Sequence, residues 1–452
     1  MSARREGVGE TGLVNLETVA LLTSPKGWSL LAALPPYDEA EAVALGTSLR
    51  EAGYAPELVA AALSQSRLRA RAEGKFGEFA RGMLFTPDGL EQATRLEIAA
   101  RHASRFRRAG VRHVYDLGCG VGSDAMAFAS LGSAVTAVDA DPATAAIAGV
   151  NLRHFSEATS VLSRAEEVTI PRDDPGIGVW FDPARRVVSS TDASGRARRV
   201  SGLEAISPHW SLVEAVASRI PATGVKLAPN FPHSAVPDGA EAQWTSLRGE
   251  VLECAVWWGP LVETTGRTAA VLGGDTPLLV TEADAAPLGP LASRGGDGTV
   301  GASGSESGRG SGPAGTRVAA LGPVASGLPQ SGCYLYEPDR AVIAAGLVGA
   351  LVVAVDGTEL SHGVGYVVAS SPAEVPWATR YVVTHAMKAN VKQVRAWLRA
   401  QGAGRLTLKR RGGRIDPGTF RQQLRLDGRG DEITAILTQA GSTPAFLAVE
   451  RV

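Results

Sequence analysis

At 452 residues the chain is too long for a single core, and two or three domains are expected. Its 45 Lys and Arg against 46 Asp and Glu leave a formal charge of −1, so only local clusters of charge can point to a partner. No apolar run approaches the roughly 20 residues of a membrane span. Cys119, Cys254 and Cys333 have no metal-ligand spacing, and no signal-peptide pattern opens the chain. The expectation is a reduced, cytoplasmic protein with no structural metal.

The first 84 residues read as helical. Asp38 to Ala52 and Pro56 to Arg71 carry apolar residues at helix spacing, with Gly53 as a stop between them. The second stretch runs into S-R-L-R-A-R-A-E-G-K-F-G-E-F-A-R, whose Arg67, Arg69, Arg71, Lys75 and Arg81 form either a solvated helix face or a nucleic-acid-facing stripe. Thr86 to Gly110 reads as one more helix opened by Pro87 and Asp88, with Glu91, Gln92 and Thr94 on an exposed face or turned toward a ligand.

From Val111 to Asp141 the chain reads strand, glycine turn, helix, strand. The turn is D-L-G-C-G-V-G, with Gly118, Gly120 and Gly122 allowing a ligand to approach the backbone. The second strand ends on Asp139, about 20 positions on, where nucleoside-binding α/β folds place a carboxylate for ribose hydroxyls. A dinucleotide fingerprint would read G-x-G-x-x-G; here the spacing is G-x-G-x-G, and Asp116 stands two residues ahead of the first glycine. That carboxylate would repel a pyrophosphate and suits a cationic ligand. D-L-G-C-G-V-G followed by V-D-A-D resembles the S-adenosylmethionine site of class I methyltransferases. The resemblance implies that Asp116, Gly118, Gly120, Gly122, Asp139 and Ala140 hold that cofactor.

Asp141-Pro142 opens a helix to about Arg153, and Ala158 to Leu162 is a third strand. In such enzymes an acidic residue here receives the adenine; S-R-A-E-E-V puts Arg164 at that position, leaving the backbone of Ala165 or the carboxylate of Glu166 beside it for the adenine. Ile177 to Phe181 is an apolar strand ending in Asp182-Pro183-Ala184-Arg185-Arg186, and ligands of an open parallel sheet lie beyond such carboxyl ends. This resembles the D-P-P-Y motif of base-modifying methyltransferases, with Ala184 and Arg185 as departures. An exocyclic amine is a poor nucleophile because its lone pair is delocalised into the ring. A carboxylate accepting one N–H returns density to nitrogen, and alignment at roughly 3 Å does the rest. Asp182 and Pro183 are therefore the candidate catalytic pair, with Arg185 to stack on a base or hold a phosphate. The plain alternative is an Asp-Pro turn with solvated arginines.

Val187 to Arg199 reads as a flexible loop, Val213 to Arg219 with V-K-L-A-P as a helix–strand unit, and Glu241 to Val262 as a terminal hairpin with Trp257 and Trp258 in the core. Residues 292–330 are a Gly/Ser-rich linker with too little apolar surface to bury. The divisions expected are a helical region over 1–84, a catalytic domain over 85–291, the linker, and an α+β domain over 331–452. That last domain carries an apolar helical stretch, Ala341 to Val355, strands at V-G-Y-V-V-A-S and R-Y-V-V-T-H, and an amphipathic helix over Lys388 to Gln401. A strand at Arg405 to Leu408 and a helix at Pro417 to Leu426 complete it. Basic residues dominate between Arg380 and Arg425, with Lys409, Arg410, Arg411 and Arg414 at their densest point: a phosphate-binding footprint or a solvated surface.

Together with K-F-G-E-F-A-R-G-M-L-F-T, G-L-E-Q-A-T-R, F-D-P-A-R-R and L-K-R-R-G-G-R-I-D-P-G-T-F-R-Q-Q-L, these motifs resemble bacterial class I methyltransferases with a C-terminal THUMP-like domain. The resemblance implies a Rossmann-like α/β sheet, S-adenosylmethionine as cofactor, and RNA (tRNA or rRNA) as substrate, methylated on a base nitrogen. Chemistry at a pyrimidine C5 needs a cysteine nucleophile, and no cysteine neighbours Asp182 in sequence. Two other readings stay open: a methyltransferase acting on DNA, protein or a small molecule, and an RNA-binding module with a vestigial cofactor site.

Overall fold

The structure, a computed structural model, describes residues 14–185, 190–191, 197–198, 203, 206–285 and 324–452. Most of the loop expected over Val187 to Arg199, and the linker up to residue 323, lie outside the described residues. The chain divides into two compact units, Met1–Leu227 with Val256–Glu263, and Ala228–Ala255 with Thr264–Val452.

The first unit opens on helices α1 (Leu16–Thr23), α2 (Pro25–Ala33), α3 (Ala42–Glu51) and α4 (Pro56–Phe76). Asn15 and Ser24 cap α1 and α2 by accepting N–H groups of the first turn, and Pro56 sits where no donor is needed. Leu58, Ala62, Leu68, Ala72 and Phe76 of α4 pack into a core that also holds Phe85, Val121, Ala143 and Ile147. The helix expected from Thr86 is two helices, α5 (Pro87–Gln92) and α6 (Leu96–Arg108). The break has a cause: the Lys75 ammonium donates to the carbonyls of Leu90, Glu91 and Ala93 at 2.8, 2.7 and 2.9 Å, taking over the end of α5.

Strands β1 (His113–Leu117), β2 (Ala134–Asp139), β3 (Ala158–Leu162), β4 (Ile177–Phe181) and β5 (Thr223–Leu227) form a parallel array in the order β5-β4-β1-β2-β3. Helices α7 (Ser123–Ser130), α8 (Pro142–Leu152) and α9 (Trp210–Ala217) make its crossovers. Every residue of β4 is buried, as a central parallel strand requires. The register sets Leu117 beside both Val138 and Phe181, and Phe181 beside Val225. The residues that follow, Gly118, Asp139, Asp182 and Lys226, therefore gather along one edge of the array.

In the second unit β6 (Glu241–Leu247) and β7 (Glu250–Trp257) form the expected hairpin, turned by Arg248 and Gly249 with φ of 52° and 82°. Strand β8 (Gly266–Leu272) runs parallel to β6, and β9 (Leu278–Thr281) antiparallel to β8. The division between the units falls inside 85–291 because these strands are bonded onward. Arg267 donates to the Ala345 carbonyl at 3.1 Å, and Ser246 donates to Asp339 at 2.6 Å.

A seven-stranded sheet follows, with β10 (Tyr334–Pro338), β11 (Thr358–Glu359), β12 (Val367–Ala369), β13 (Ala378–Lys388), β14 (Ala403–Arg410), β15 (Asp431–Ala440) and β16 (Thr443–Arg451) in the order β11-β12-β10-β13-β16-β15-β14. The apolar stretch expected as one helix is split into α10 (Arg340–Ala344) and α11 (Val348–Ala354) at Gly346, whose φ is 70°. A Cβ there would lie 2.7 Å from the Arg267 guanidinium. Helix α12 (Val391–Ala400) buries Val394 and Leu398, and α13 (Pro417–Leu424) is capped by Asp416.

Candidate functional site

The turn after β1 is built on three glycines with φ of 87°, 56° and 85° at Gly118, Gly120 and Gly122. At Gly118 the requirement is absolute, because a Cβ would stand 2.8 Å from the Asp182 carbonyl oxygen. The Gly118 and Cys119 amides donate to Val138 at 2.9 and 3.0 Å, and the Gly120 amide donates to Asp139 Oδ2 at 3.1 Å. Asp139 Oδ1 accepts from the Asp141 amide at 2.9 Å, so this one carboxylate pins both the glycine turn and the loop after β2. Burial holds its acidity weaker than an ordinary aspartate's, against the opposing pull of those amides.

A cavity of about 1040 Å³ opens over the turn. Of the residues expected from sequence, Gly118, Gly120, Asp139, Ala140, Ala165, Glu166 and Asp182 line it. Gly122 instead caps α7 and packs on Ala148. Pro183 is half-buried and is not part of the lining. Arg186 and the side chain of Arg185 lie outside the described residues; the Arg185 backbone pairs with Ile206. Cys119, as expected, is a small buried residue of the turn, and burial pushes its thiol up.

Asp116 lies under the turn rather than in its wall. It is fully buried, and neither carboxylate oxygen has a hydrogen-bond partner among the described residues. Burial first, then the charges of Asp124 and Asp182, push its carboxyl well above the usual range. Asp124, in the first turn of α7, is equally buried but fully occupied: Thr94 donates to it at 2.6 Å and His102 Nδ1 lies 2.8 Å away. Burial would raise its carboxyl, but His102 and Lys226 hold it below the ordinary value. His102 packs on Trp180 and Trp257, which confirms Trp257 as core.

Lys226, which no motif marked, is the hub. Its ammonium donates to Asp182 Oδ2 at 2.5 Å and Thr94 Oγ1 at 2.8 Å, and approaches the Gln92 carbonyl at 3.5 Å. His102, Asp124, Thr94, Lys226 and Asp182 thus form one connected polar chain. Thr94 belongs to this chain and Gln92 to the cavity wall, while Glu91 is exposed and takes no part in the lining. The only signal in sequence is a lone lysine inside the apolar V-K-L of β5.

The C-terminal basic cluster is less free than its sequence reads. Glu337 accepts from Lys409 Nζ at 2.8 Å, Arg411 Nη2 at 3.1 Å and the Tyr381 hydroxyl at 3.1 Å. These donors, Lys409 first, hold the half-buried Glu337 below the usual carboxylate range although burial pushes the other way. Lys409 and Arg411 are therefore engaged by Glu337, Lys409 while still partly exposed, and Arg410 and Arg414 are exposed. No group of metal-ligating side chains occurs among the described residues, and no helix there is long and apolar enough to cross a membrane.

Two family models match the sequence. One is described as THUMP domain-like and covers residues 378–451; the other, a domain of unknown function, covers residues 15–72. No curated protein matches. Among solved structures, a presumed methyltransferase from Porphyromonas gingivalis W83 aligns over 92% of this chain and 100% of its own, at 16% identity and a TM-score of 0.63. The chain has a methyltransferase fold followed by a THUMP-like domain. A presumed class I S-adenosylmethionine-dependent methyltransferase from Listeria monocytogenes also aligns, over 57% of this chain and 90% of its own, at 11% identity and a TM-score of 0.32. The THUMP-like match begins with β13 and ends in β16, so it takes in the basic cluster around Lys409.

Proposed function

We propose that this chain is an S-adenosylmethionine-dependent methyltransferase that modifies a base nitrogen of RNA. The observation that carries the reading is the bare Asp116 carboxylate beneath a glycine turn whose outer face opens on the cavity. A buried carboxylate with no partner is costly, and a cation over the turn would offset that cost. The other donors and acceptors fit the same ligand. Asp139, beside its backbone donors, retains acceptor capacity for a ribose hydroxyl. Ala165 and Glu166, which line the cavity beyond β3, would receive the adenine, and Asp116, beneath the turn, would offset the charge of the sulfonium and amino groups. S-adenosylmethionine supplies the electrophilic methyl group when bound.

Asp182 then orients the acceptor. Its Oδ2 accepts from Lys226, and the carboxylate held in this way would accept one N–H of an exocyclic amine. Only 23% of the Asp182 side chain and 15% of Lys226 are exposed, which strengthens the pair and restricts the carboxylate's rotation. With Leu117 accepting its amide at 3.2 Å, Asp182 is fixed at backbone and side chain. Fixing the nucleophile in line with the methyl donor is where most of the acceleration of such a transfer arises. The THUMP-like match at residues 378–451 and the exposed Arg410 and Arg414 support RNA as the substrate class.

The test has two steps. Calorimetric titration with S-adenosylmethionine should show one site per chain, lost in Asp139→Ala. Nucleoside mass spectrometry of RNA from a strain lacking the gene should show one methylated nucleoside missing, restored by the wild-type chain and not by Asp182→Ala. A chain that binds no S-adenosylmethionine refutes the proposal.

A further inference from the structure

Helix α4 brings a second set of charges to the same cavity. Ser64, Arg67, Leu68 and Arg71, spaced as one helix face, line it together with the glycine turn and Asp182. Leu68 is buried, while Arg67 and Arg71 extend outward at the mouth. Among the described residues Arg67 pairs with Glu39, at 3.6 Å, with both side chains more than half exposed. Such a pair contributes little and is easily exchanged. Arg71 has no ion-pair or hydrogen-bond partner among the described residues. Arg69, between them, does different work: it donates to the Met83 carbonyl at 2.8 Å and lies over Trp28, and burial lowers it to about 10.

The face is held at a fixed place relative to the turn. Gln65 exchanges two hydrogen bonds with the Phe85 backbone, at 2.7 and 3.0 Å. The adjoining Leu84 exchanges two with Asn151, at 2.8 and 3.0 Å, and Asn151 also donates to the Val121 carbonyl at 2.8 Å. A continuous run of buried amides therefore ties α4 to the glycine turn itself. A helix that only solvated its arginines would need no such tie.

Resting on the reading of RNA as substrate, we propose that α4 forms the phosphate-binding wall of the substrate site. Arg67 and Arg71 grip the sugar-phosphate backbone beside the base presented to Asp182. Guanidinium groups suit this task because they bind phosphate oxygens in pairs, and two of them one turn apart follow a strand. This gives residues 15–72 a role in substrate binding, and places one RNA contact surface in the first unit, apart from the C-terminal basic cluster.

The experiment compares the full-length wild type with Arg67→Glu/Arg71→Glu and Arg67→Gln/Arg71→Gln, using unfractionated tRNA and single-stranded DNA in anisotropy titrations at several salt concentrations. Both variants change exposed positions, and an unchanged Tm verifies that they fold. The expected result is a 10- to 100-fold weaker Kd for tRNA in the Gln variant, a larger loss in the Glu variant, and a salt slope lower by about 1.4, for two phosphates at about 0.7 each. S-adenosylmethionine affinity should stay as in wild type. Unaltered tRNA binding in both variants overturns the wall, as does an equal loss of cofactor affinity. Loss confined to single-stranded DNA overturns the choice of RNA. A wild-type chain that binds no tRNA overturns the substrate reading itself, and this proposal with it.

Discussion

Lys226→Met isolates the least expected part of the site. Methionine keeps the unbranched stem and removes the ammonium, so Asp182 loses the cation 2.5 Å away and Thr94 loses a donor. Breaking a fully buried ion pair from one side costs about 3–5 kcal/mol. With 23% of Asp182 and 15% of Lys226 exposed, the cost falls somewhat below that range, to about 2–3 kcal/mol. The catalytic effect follows from geometry: a carboxylate released to rotate misplaces the acceptor nitrogen by about 1 Å, worth about 100-fold in kcat. The assay is methyl transfer to RNA with kcat and KM separated, alongside calorimetric affinity for the cofactor. The expected pattern is kcat down about 100-fold with cofactor affinity within about threefold of wild type. Lys226→Arg should recover part of kcat, because it restores the charge but not the ammonium's three donor directions. In a double-mutant cycle with Asp182→Asn, the two losses should overlap by about 2 kcal/mol. A wild-type kcat in Lys226→Met, or strict additivity in the cycle, refutes the positioning role.

Gly118→Ala forces a Cβ to 2.8 Å from the Asp182 carbonyl at a φ of 87°; a loss of about 2 kcal/mol or more in Tm-derived stability, with loss of cofactor binding by calorimetry, is expected. Asp116→Asn should stabilise the ligand-free protein by about 1–2 kcal/mol at neutral pH while weakening cofactor binding. The sign follows from the raised carboxyl: the folded state holds the Asp116 proton above its unfolded value of 3.8, so stability falls as pH rises through that window, and Asn removes the fall. Thermal melts across pH 4–8 with and without S-adenosylmethionine check both halves. Glu337→Gln leaves Lys409 and Arg411 facing each other without their carboxylate, a loss of about 2–3 kcal/mol in the second unit. Glu337 has the opposite sign from Asp116. Its lowered carboxyl contributes above about 4.5 and is lost as pH falls through the folded value, so acid should erase the difference between wild type and variant.

What the sequence revealed about this fold is what short-range pattern can carry. Strands β1 to β5 and helices α7 and α8 lie close to where the apolar runs, Gly118 to Gly122 and Asp141-Pro142 place them. The expected helices that broke, at Ala93 and at Gly346, broke for reasons that are distant in sequence. Lys75 captures three carbonyls at the end of α5, and Arg267 donates to the carbonyl of Ala345, the C-cap of α10. The same distinction governs the charged residues. Arg67, Arg69 and Arg71 read alike, yet one is bound to Met83 and Trp28 and the other two face the cavity. Lys409 and Arg411 read in sequence as part of a phosphate footprint or a solvated surface, and neither reading shows that Glu337, 72 residues upstream of Lys409, holds both.

The site follows the same logic at higher stakes. Gly118, Gly120, Asp139 and Asp182 were legible because a parallel sheet delivers the residues after its strands to one edge, and each strand announces its own end. Lys226 was not, because its place beside Asp182 depends on the pairing of Phe181 with Val225. Once it is placed, the three acidic side chains under and beside the turn separate by role. Asp124 is satisfied by Thr94 and His102, Asp182 by Lys226, and Asp116 has no hydrogen-bond partner among the described residues. A fold that merely needed a polar residue at the end of β1 would have covered it, as it covered the other two. The uncovered carboxylate fits the cationic ligand proposed above the glycine turn, and Lys226 holds Asp182, on the adjacent strand, in the orientation the proposed transfer needs.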